Sequence, residues 1–576
     1  MMDASSDRVG ATLGGWPRLW EVEKMSEAEK VTKQIGELLK ERGLINEAHI
    51  ELALQDQKVT RERVGEILER LGFISQYDIA TAIADQDARK YVDIDQKRPS
   101  PESLRLFNLQ TCLTHKFLPY HTDAKEVIVA TYSDDVDGLE KQITRSTGLK
   151  PRIRQGEKSK IINAVQYYYY FLENPVETLI QKEIQLLAAD RDGVRSLDSF
   201  VLHLMQLAVK ARASDIHVRP MDQSISIAFR VDGVMRAQFA LPLTFKRLVA
   251  TLKMKAGMDI AEQRLPQDGS FSESILNTQY DFRVSSTVCP YGENLVLRLL
   301  PAKGDFMSMR QLGVFDEDLD LLTEIFNEPF GIVLLTGPTG SGKTTTLYAA
   351  VRRLNLTEKN ILTVENPIEY RIPLIRQTQI NVKAGYTFAS AIRYFLRHDP
   401  DVILVGEIRD TETAQTAVSA SETGHLVLST LHTNTAFGAI PRLRSLGIPN
   451  FMLADSLVGV VSQRLVRKIC PGCRESYTPS DEERAYLGDP ALETLWRGRG
   501  CVDCHQSGYM GRTLIYEILR TNRELAGMIG RDVDVESLEQ VALKAGYRTI
   551  FQNAVRKVKL GHTTVKEVVR VLGRGA

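Results

Sequence analysis

Nothing in this 576-residue chain reads as a bilayer span, because no apolar run approaches the roughly 20 residues needed to cross a hydrocarbon core. The opening Met1-Met2-Asp3-Ala4-Ser5-Ser6 lacks the basic and apolar stretches of a secretory signal, so the expected location is the cytoplasm. Excess charge of either sign is missing too. Lys+Arg and Asp+Glu each total 73, and no basic tract interleaved with aromatics is present, which argues against a nucleic-acid partner. Cysteine is scarce: six in all, four of them spaced as Cys470-x-x-Cys473 and Cys501-x-x-Cys504. Two such turns facing each other make a tetrahedral thiolate site for Zn²⁺; a disulfide pair is the competing reading, opposed by a reducing cytosol. Cys112 and Cys289 read as small apolar residues. A chain of this length exceeds one compact core, so several domains are expected.

What is present is chemistry for phosphates. The apolar run Gly331 to Thr336 leads into Gly337-Pro338-Thr339-Gly340-Ser341-Gly342-Lys343-Thr344-Thr345 and then a helix-favouring stretch. A strand, a glycine-rich turn and a helix N-terminus together present backbone N–H groups and a partial positive charge to an anion. In this reading Lys343 reaches the β- and γ-phosphates of ATP, and Thr344 holds Mg²⁺. The bland alternative is a strand-to-helix turn that binds nothing.

Four short apolar runs, 332–335, 361–364, 402–405 and 425–429, punctuate the segment around this loop. As parallel strands they would gather their following polar residues into one crevice. Glu407 follows the third run and is the second Mg²⁺ ligand; Glu365 and Glu369 follow the second, and Glu369 is the expected catalytic base. The alternative for each is a solvated turn acid. His425 and His432 flank the fourth run; at least one is expected to sense the γ-phosphate or relay its loss, with His425 the candidate and a structural histidine the alternative.

Upstream, Ile35-Gly36-Glu37-Leu38-Leu39 recurs as Val64-Gly65-Glu66-Ile67-Leu68, a period of 29 residues, each copy reading as helix, glycine turn, helix. Strand-like and amphipathic pieces alternate from Pro99 to the aromatic run Tyr167 to Tyr170, and a polar stretch around Ala188 to Gly193 reads as a linker. Near the C-terminus Thr564-x-x-Glu567 has the spacing of a capping box.

Together these motifs resemble the secretion ATPase superfamily of type II secretion and type IV pilus assembly. Leu396 to Asp410 is similar to its Walker B pattern, Glu365-Asn366-Pro367-Ile368-Glu369 to its aspartate box, and Gly424 to Asn434 to its histidine box. Asn366 departs from the usual aspartate, and an amide neither ionises nor lends charge to Mg²⁺. The resemblance implies an α/β multidomain chain: a RecA-like P-loop ATPase core preceded by an α+β, PAS-like domain and a helical-plus-α/β N-terminal module, with a zinc-binding insertion and C-terminal helices. The implied divisions are a flexible lead over 1–30, an N-terminal MshEN-like module over 31–170, a linker over 171–195, the α+β domain over 196–304, the core over 305–465, the four-cysteine element over 466–513 and a helical end over 514–576.

The resemblance also implies roles. Arg283 and Arg298 fall where the family's arginine fingers sit, beside landmarks such as Ala213-Ser214-Asp215-Ile216-His217. The repeat resembles a cyclic di-GMP module, with Arg63, Gly65, Gln57 and Gln86 as contacts, although Gln34 replaces the arginine of the first copy; docking of a membrane-protein partner is the alternative. The implied assembly is a homohexamer, peripheral to the inner membrane, working through a platform protein and a membrane-anchored or cytoplasmic docking protein. A nucleotide- and cyclic di-GMP-binding scaffold with weak turnover is the alternative function.

Overall fold

The computed structural model describes residues 35–190, 195–301, 307–354 and 358–574; the expected lead over 1–30 and Gln34 lie outside them. The chain divides into two compact units, up to Arg70 and from Leu71 onward. In the first unit residues 35–41 are helical, and helices Glu47–Thr60 and Val64–Arg70 follow. Asn46 caps Glu47–Thr60 through the His49 amide, which is what an Asx residue before an apolar-periodic run does best.

The second unit begins with helix Gln76–Gln86, entered through the left-handed turn at Gly72. Arg352 donates to the carbonyls of Gly72 and Ile74 at 3.0 Å each. A three-stranded sheet follows, β1 Phe117–Thr122, β2 Glu126–Thr131 and β3 Lys150–Gln155, with β1 antiparallel and β3 parallel to β2. Helix Lys158–Glu173 packs on it, and the tyrosine run serves packing. Tyr169 is buried and its hydroxyl donates to the carbonyls of Leu104 and Phe107. The described residues of the stretch expected as a linker over 171–195 are mainly helical. Helix Val176–Ala188 occupies it, because Val176, Ile180 and Leu187 recur at helical spacing and are buried in the core of the next domain.

That domain is a six-stranded antiparallel sheet, β4 Ala213–Pro220, β5 Ile225–Val231, β6 Val234–Leu241, β7 Asp268–Ile275, β8 Thr278–Cys289 and β9 Gly292–Pro301, in the order β6-β5-β4-β9-β8-β7. Ile216, Val218, Ile227, Phe229, Val284 and Leu297 line one face, which shares a core with helices Asp198–Lys210 and Arg247–Lys255. Residues alternating with them form a polar second face.

The nucleotide core is a seven-stranded sheet built from β10 Gly331–Thr336, β11 Ile361–Glu365, β12 Arg376–Gln379, β13 Val402–Val405, β14 Leu426–Leu431 and β15 Leu457–Ile469. After the short hairpin β16 Arg474–Tyr477 and β17 Leu495–Gly498, β18 Tyr509–Arg520 completes it, giving the order β12-β11-β13-β14-β10-β15-β18. All pairings are parallel except β15 with β18. The boundaries expected at 465/466 and 513/514 are therefore displaced, since β15 runs four residues into the cysteine segment and β18 straddles the helical end. Both strands alternate or run apolar, and sheet pairing rather than composition decides where they stop.

Four helices close the chain: Arg523–Gly530, Val535–Lys544, Ile550–Lys559 and Val565–Leu572. The expected capping box at Thr564 forms only in part. The Thr564 hydroxyl accepts from the Glu567 amide at 3.2 Å, but the Glu567 carboxylate is fully buried and turns to Arg467 and Arg570 instead. Two guanidiniums outbid one backbone N–H for a buried carboxylate.

Candidate functional site

Parallel pairing puts the ends of β10, β13 and β14 on one edge: Thr336 lies beside Leu431, and Val405 beside Ser429. Side chains following those residues converge there. Thr336 Oγ1 accepts from the Thr433 amide at 2.9 Å, and Thr430 Oγ1 donates to the Gly406 carbonyl at 2.7 Å, which ties the three strand ends together.

The phosphate loop leaves β10 at Gly337, whose φ is +143°. A Cβ there would stand 2.4 Å from the Gln463 carbonyl of β15, so only glycine fits. Gln463, fully buried, also donates from its amide to the Ser341 carbonyl at 2.8 Å and so pins the loop from the other side. Helix Lys343–Arg353 begins at Gly342, and no side chain caps its first turn. That leaves its first N–H groups for an anion. Lys343 is buried and curls onto the loop's own carbonyls, Gly337 at 2.7 Å and Pro338 at 3.3 Å. Burial holds its amine below the usual lysine range, with the Glu407 carboxylate opposing. Thr344 is exposed at the helix start, whereas Ser341 Oγ and Thr346 Oγ1 are buried with no partner among the described residues. An uncapped helix start, a desolvated ammonium and unsatisfied hydroxyls suit a polyphosphate and its Mg²⁺.

Glu407 stands just past β13 and receives the Arg409 guanidinium, while His432 Nε2 lies 3.7 Å from the same carboxylate. His432 follows Leu431 directly, and burial together with Lys343 lowers its proton affinity. His425 does not belong to this edge. Its neighbour Leu426 pairs with Gly331 and Val402, the starts of their strands, so six residues of strand, about 20 Å, separate it from the phosphate loop. Its Nδ1 meets the Ala420 carbonyl at 2.9 Å and the Thr423 hydroxyl at 3.1 Å, at the end of helix Thr411–Glu422. The structure thus places His425, expected as a γ-phosphate sensor, away from the phosphate loop; of the two histidines it is His432 that stands beside Glu407.

The two acids after the second run differ sharply. Glu365 is buried and accepts from the hydroxyls of Tyr348 and Thr363 and from the Gln377 amide. Donors from the helix, from its own strand and from β12 hold it in place, so it braces the edge. Glu369 is half exposed and bridges to Arg283 of the six-stranded sheet at 3.3 Å. Asn366 is exposed between them. Arg298, beside Arg283 in register, is held by Asp215 at 3.0 Å.

Away from this edge the sulfurs of Cys470, Cys473, Cys501 and Cys504 all lie within 4.8 Å of one another. Three pairs stand 3.7, 3.8 and 3.9 Å apart. Four thiolates at a Zn–S length of 2.3 Å in a tetrahedron would be separated by about 3.8 Å. Burial raises the Cys470 and Cys473 thiols. Burial opposes ionisation at Cys504 too, but the N–H groups of Cys501 and Gly508 bring it down to about 7. In the first unit Arg63 is exposed, Gly65 has open space around its Cα, and Gln57 donates to the Glu62 carbonyl at 2.9 Å; Gln86 is an exposed residue of the second unit.

Sequence reasoning did not single out His432, Gln463, Tyr348 or Asp215. For His432 the signal was present, because the residue after a parallel strand, not the one before it, faces the loop. The other three act through partners distant in sequence.

Comparison with known proteins gives the family. A sequence model of the family described as Type II/IV secretion system protein matches residues 190–570, and one described as MshEN domain matches residues 88–174, beginning just past the repeat. The chain is 48% identical over 367 residues to Type II secretion system protein E of Pseudomonas aeruginosa, covering 63% of this chain and 73% of that protein. It is 46% identical over 367 residues to Type II secretion system ATPase E of Vibrio cholerae, with the same shares. The X-ray structure of the Legionella pneumophila ATPase DotB is similar with a TM-score of 0.52 at 22% identity, covering 66% of this chain and 97% of that one, a likeness of fold.

Proposed function

This chain belongs to the type II/IV secretion system protein family and is an ATPase motor of secretion or pilus machinery, and we propose that it hydrolyses ATP at the C-terminal edge of its seven-stranded sheet. The loop from Gly337 to Thr345 binds the phosphates through backbone N–H groups. Lys343 leaves the Gly337 and Pro338 carbonyls for the β- and γ-oxygens, a trade of two neutral acceptors for charged ones. Thr344 and Glu407 would hold Mg²⁺, which would supply charge neutralisation on the phosphates. Glu369 orients and deprotonates the attacking water, His432 positions the Glu407 carboxylate, and Arg283 and Arg298 neutralise charge developing on the γ-phosphate.

The observation that carries this reading is the meeting of Lys343, Glu407 and His432 at one edge of the sheet, from the segments that follow three separate strands. Steady-state ATP hydrolysis by Glu407→Gln tests it. The expected outcome is a kcat lower by about a hundredfold or more with nucleotide binding retained; a variant turning over at the wild-type rate would remove Glu407 from the site.

The finer assignments rest on the family resemblance and on the geometry above. The motor works as a cytoplasmic homohexamer, peripheral to the inner membrane through a platform protein and a docking protein, in type II secretion or type IV pilus assembly. The six-stranded sheet with its helices forms a PAS-like domain, the seven-stranded sheet a RecA-like core, and the segment between β15 and β18 a zinc-binding insertion, supported by the sulfur spacings. Cyclic di-GMP as a ligand of the repeat, with Arg63 pairing a phosphate, rests on the resemblance of that repeat, which precedes the MshEN match over residues 88–174.

A further inference from the structure

The polar face of the six-stranded sheet carries four charged side chains in one row. Asp215 on β4 pairs in register with Arg230 on β5 and with Arg298 on β9, and Arg298 pairs with Arg283 on β8. Cross-strand partners share a face and stand about 5 Å apart, so three guanidiniums and a single carboxylate crowd together. The carboxylate is the buried member, only 4% exposed. One of its oxygens accepts from Arg298 Nε at 3.0 Å; the other accepts from the Ser214 hydroxyl at 2.7 Å and faces Arg230 Nε at 3.7 Å.

The manner of the grip matters. Arg230 is spent at its tip, where Nη1 donates to the Gly233 carbonyl at 3.2 Å. Arg298 is anchored only through Nε, its side chain is 57% exposed, and its two terminal nitrogens have no partner among the described residues. A guanidinium fixed at Nε keeps its outer fork free, which is the arrangement that grips a phosphate with two parallel N–H bonds. Without the carboxylate, Arg298 would sample its rotamers and be pushed by two neighbouring cations.

We propose that Asp215 is a positioning residue for ATP hydrolysis: its buried carboxylate holds Arg298 by Nε and aims the free fork at the γ-phosphate. This rests on the role given to Arg298 above. Misaim of a group that acts only in the transition state lowers kcat and leaves ground-state binding intact.

The test uses the full chain, with ATPase kinetics, ADP affinity and thermal unfolding measured side by side. Asp215→Asn is expected to lower kcat about tenfold while KM for ATP and affinity for ADP stay within about twofold. Asp215→Glu restores part of the rate, and the double variant with Arg298→Ala is no slower than Arg298→Ala alone. Wild-type kcat in Asp215→Asn beside a slow Arg298→Ala overturns the inference and leaves the arginine's role standing. Full activity in Arg298→Ala overturns both. If Asp215→Asn does not fold, Arg298→Lys reads the same geometry from the exposed partner: lysine has no Nε–H plus free fork, so it is expected to be as slow as Arg298→Ala, and a lysine variant with wild-type kcat overturns the inference.

Discussion

His425 and His432 carry one chemistry at opposite ends of one strand, and their neighbours decide which of them meets the nucleotide. His432 reaches toward Glu407 beside the phosphate loop, while His425 is occupied by the carbonyl and hydroxyl at a helix end. His432→Ala is expected to lower kcat by about ten- to a hundredfold, a general-acid–base or positioning loss, whereas His425→Ala lowers thermal stability with kcat near wild type. Equal kcat losses in the two variants would refute the assignment. Much of the site was legible at this scale: glycine spacing with Lys-Thr marks a phosphate loop on its own, and acids after apolar runs mark the crevice. The roles of Glu365 and Asp215 were not, because each depends on donors brought in by tertiary pairing, Tyr348 and Gln377 for the one and Arg298 for the other.

At the scale of elements, β15 is the member that joins the two chemical centres. Its first half pairs with β10 under the phosphate loop, Gln463 at its middle pins that loop, and its end at Ile469 delivers Cys470. The cysteine spacing was readable; the length of β15 was not, since a strand stops where its partner β18 stops. Helix Val176–Ala188 shows the same limit, because polar residues on its outer face mask an apolar stripe that finds its core only in the next domain. Metal bound by four thiolates would stabilise the segment between β15 and β18 and little else. Chelation is expected to raise amide exchange across residues 470–508 and leave residues 331–345 protected, with one zinc per chain released. Unchanged exchange across 470–508 after metal removal would count against a structural zinc.

Across the whole molecule, among the described residues, Arg283 with Glu369 is the ion pair that joins the six-stranded domain to the nucleotide core near the site, and both side chains are more than a third exposed. Exposed pairs of this kind contribute about 0–1 kcal/mol, so this bridge is cheap to break and remake during turnover. The seven-stranded core, by contrast, presents Glu407 and His432 just past the ends of β13 and β14, and Lys343 at the start of the helix that follows β10. A division of that kind suits a motor in which arginines approach a fixed metal and phosphate site. The measurement that bears most directly on this account is ATP binding and hydrolysis by Lys343→Ala, read by calorimetry and phosphate release against the wild-type chain. Wild type binds and turns over ATP, while the variant keeps its secondary structure and unfolding temperature but loses both binding and turnover. ATP bound and hydrolysed by Lys343→Ala as by wild type would contradict the account.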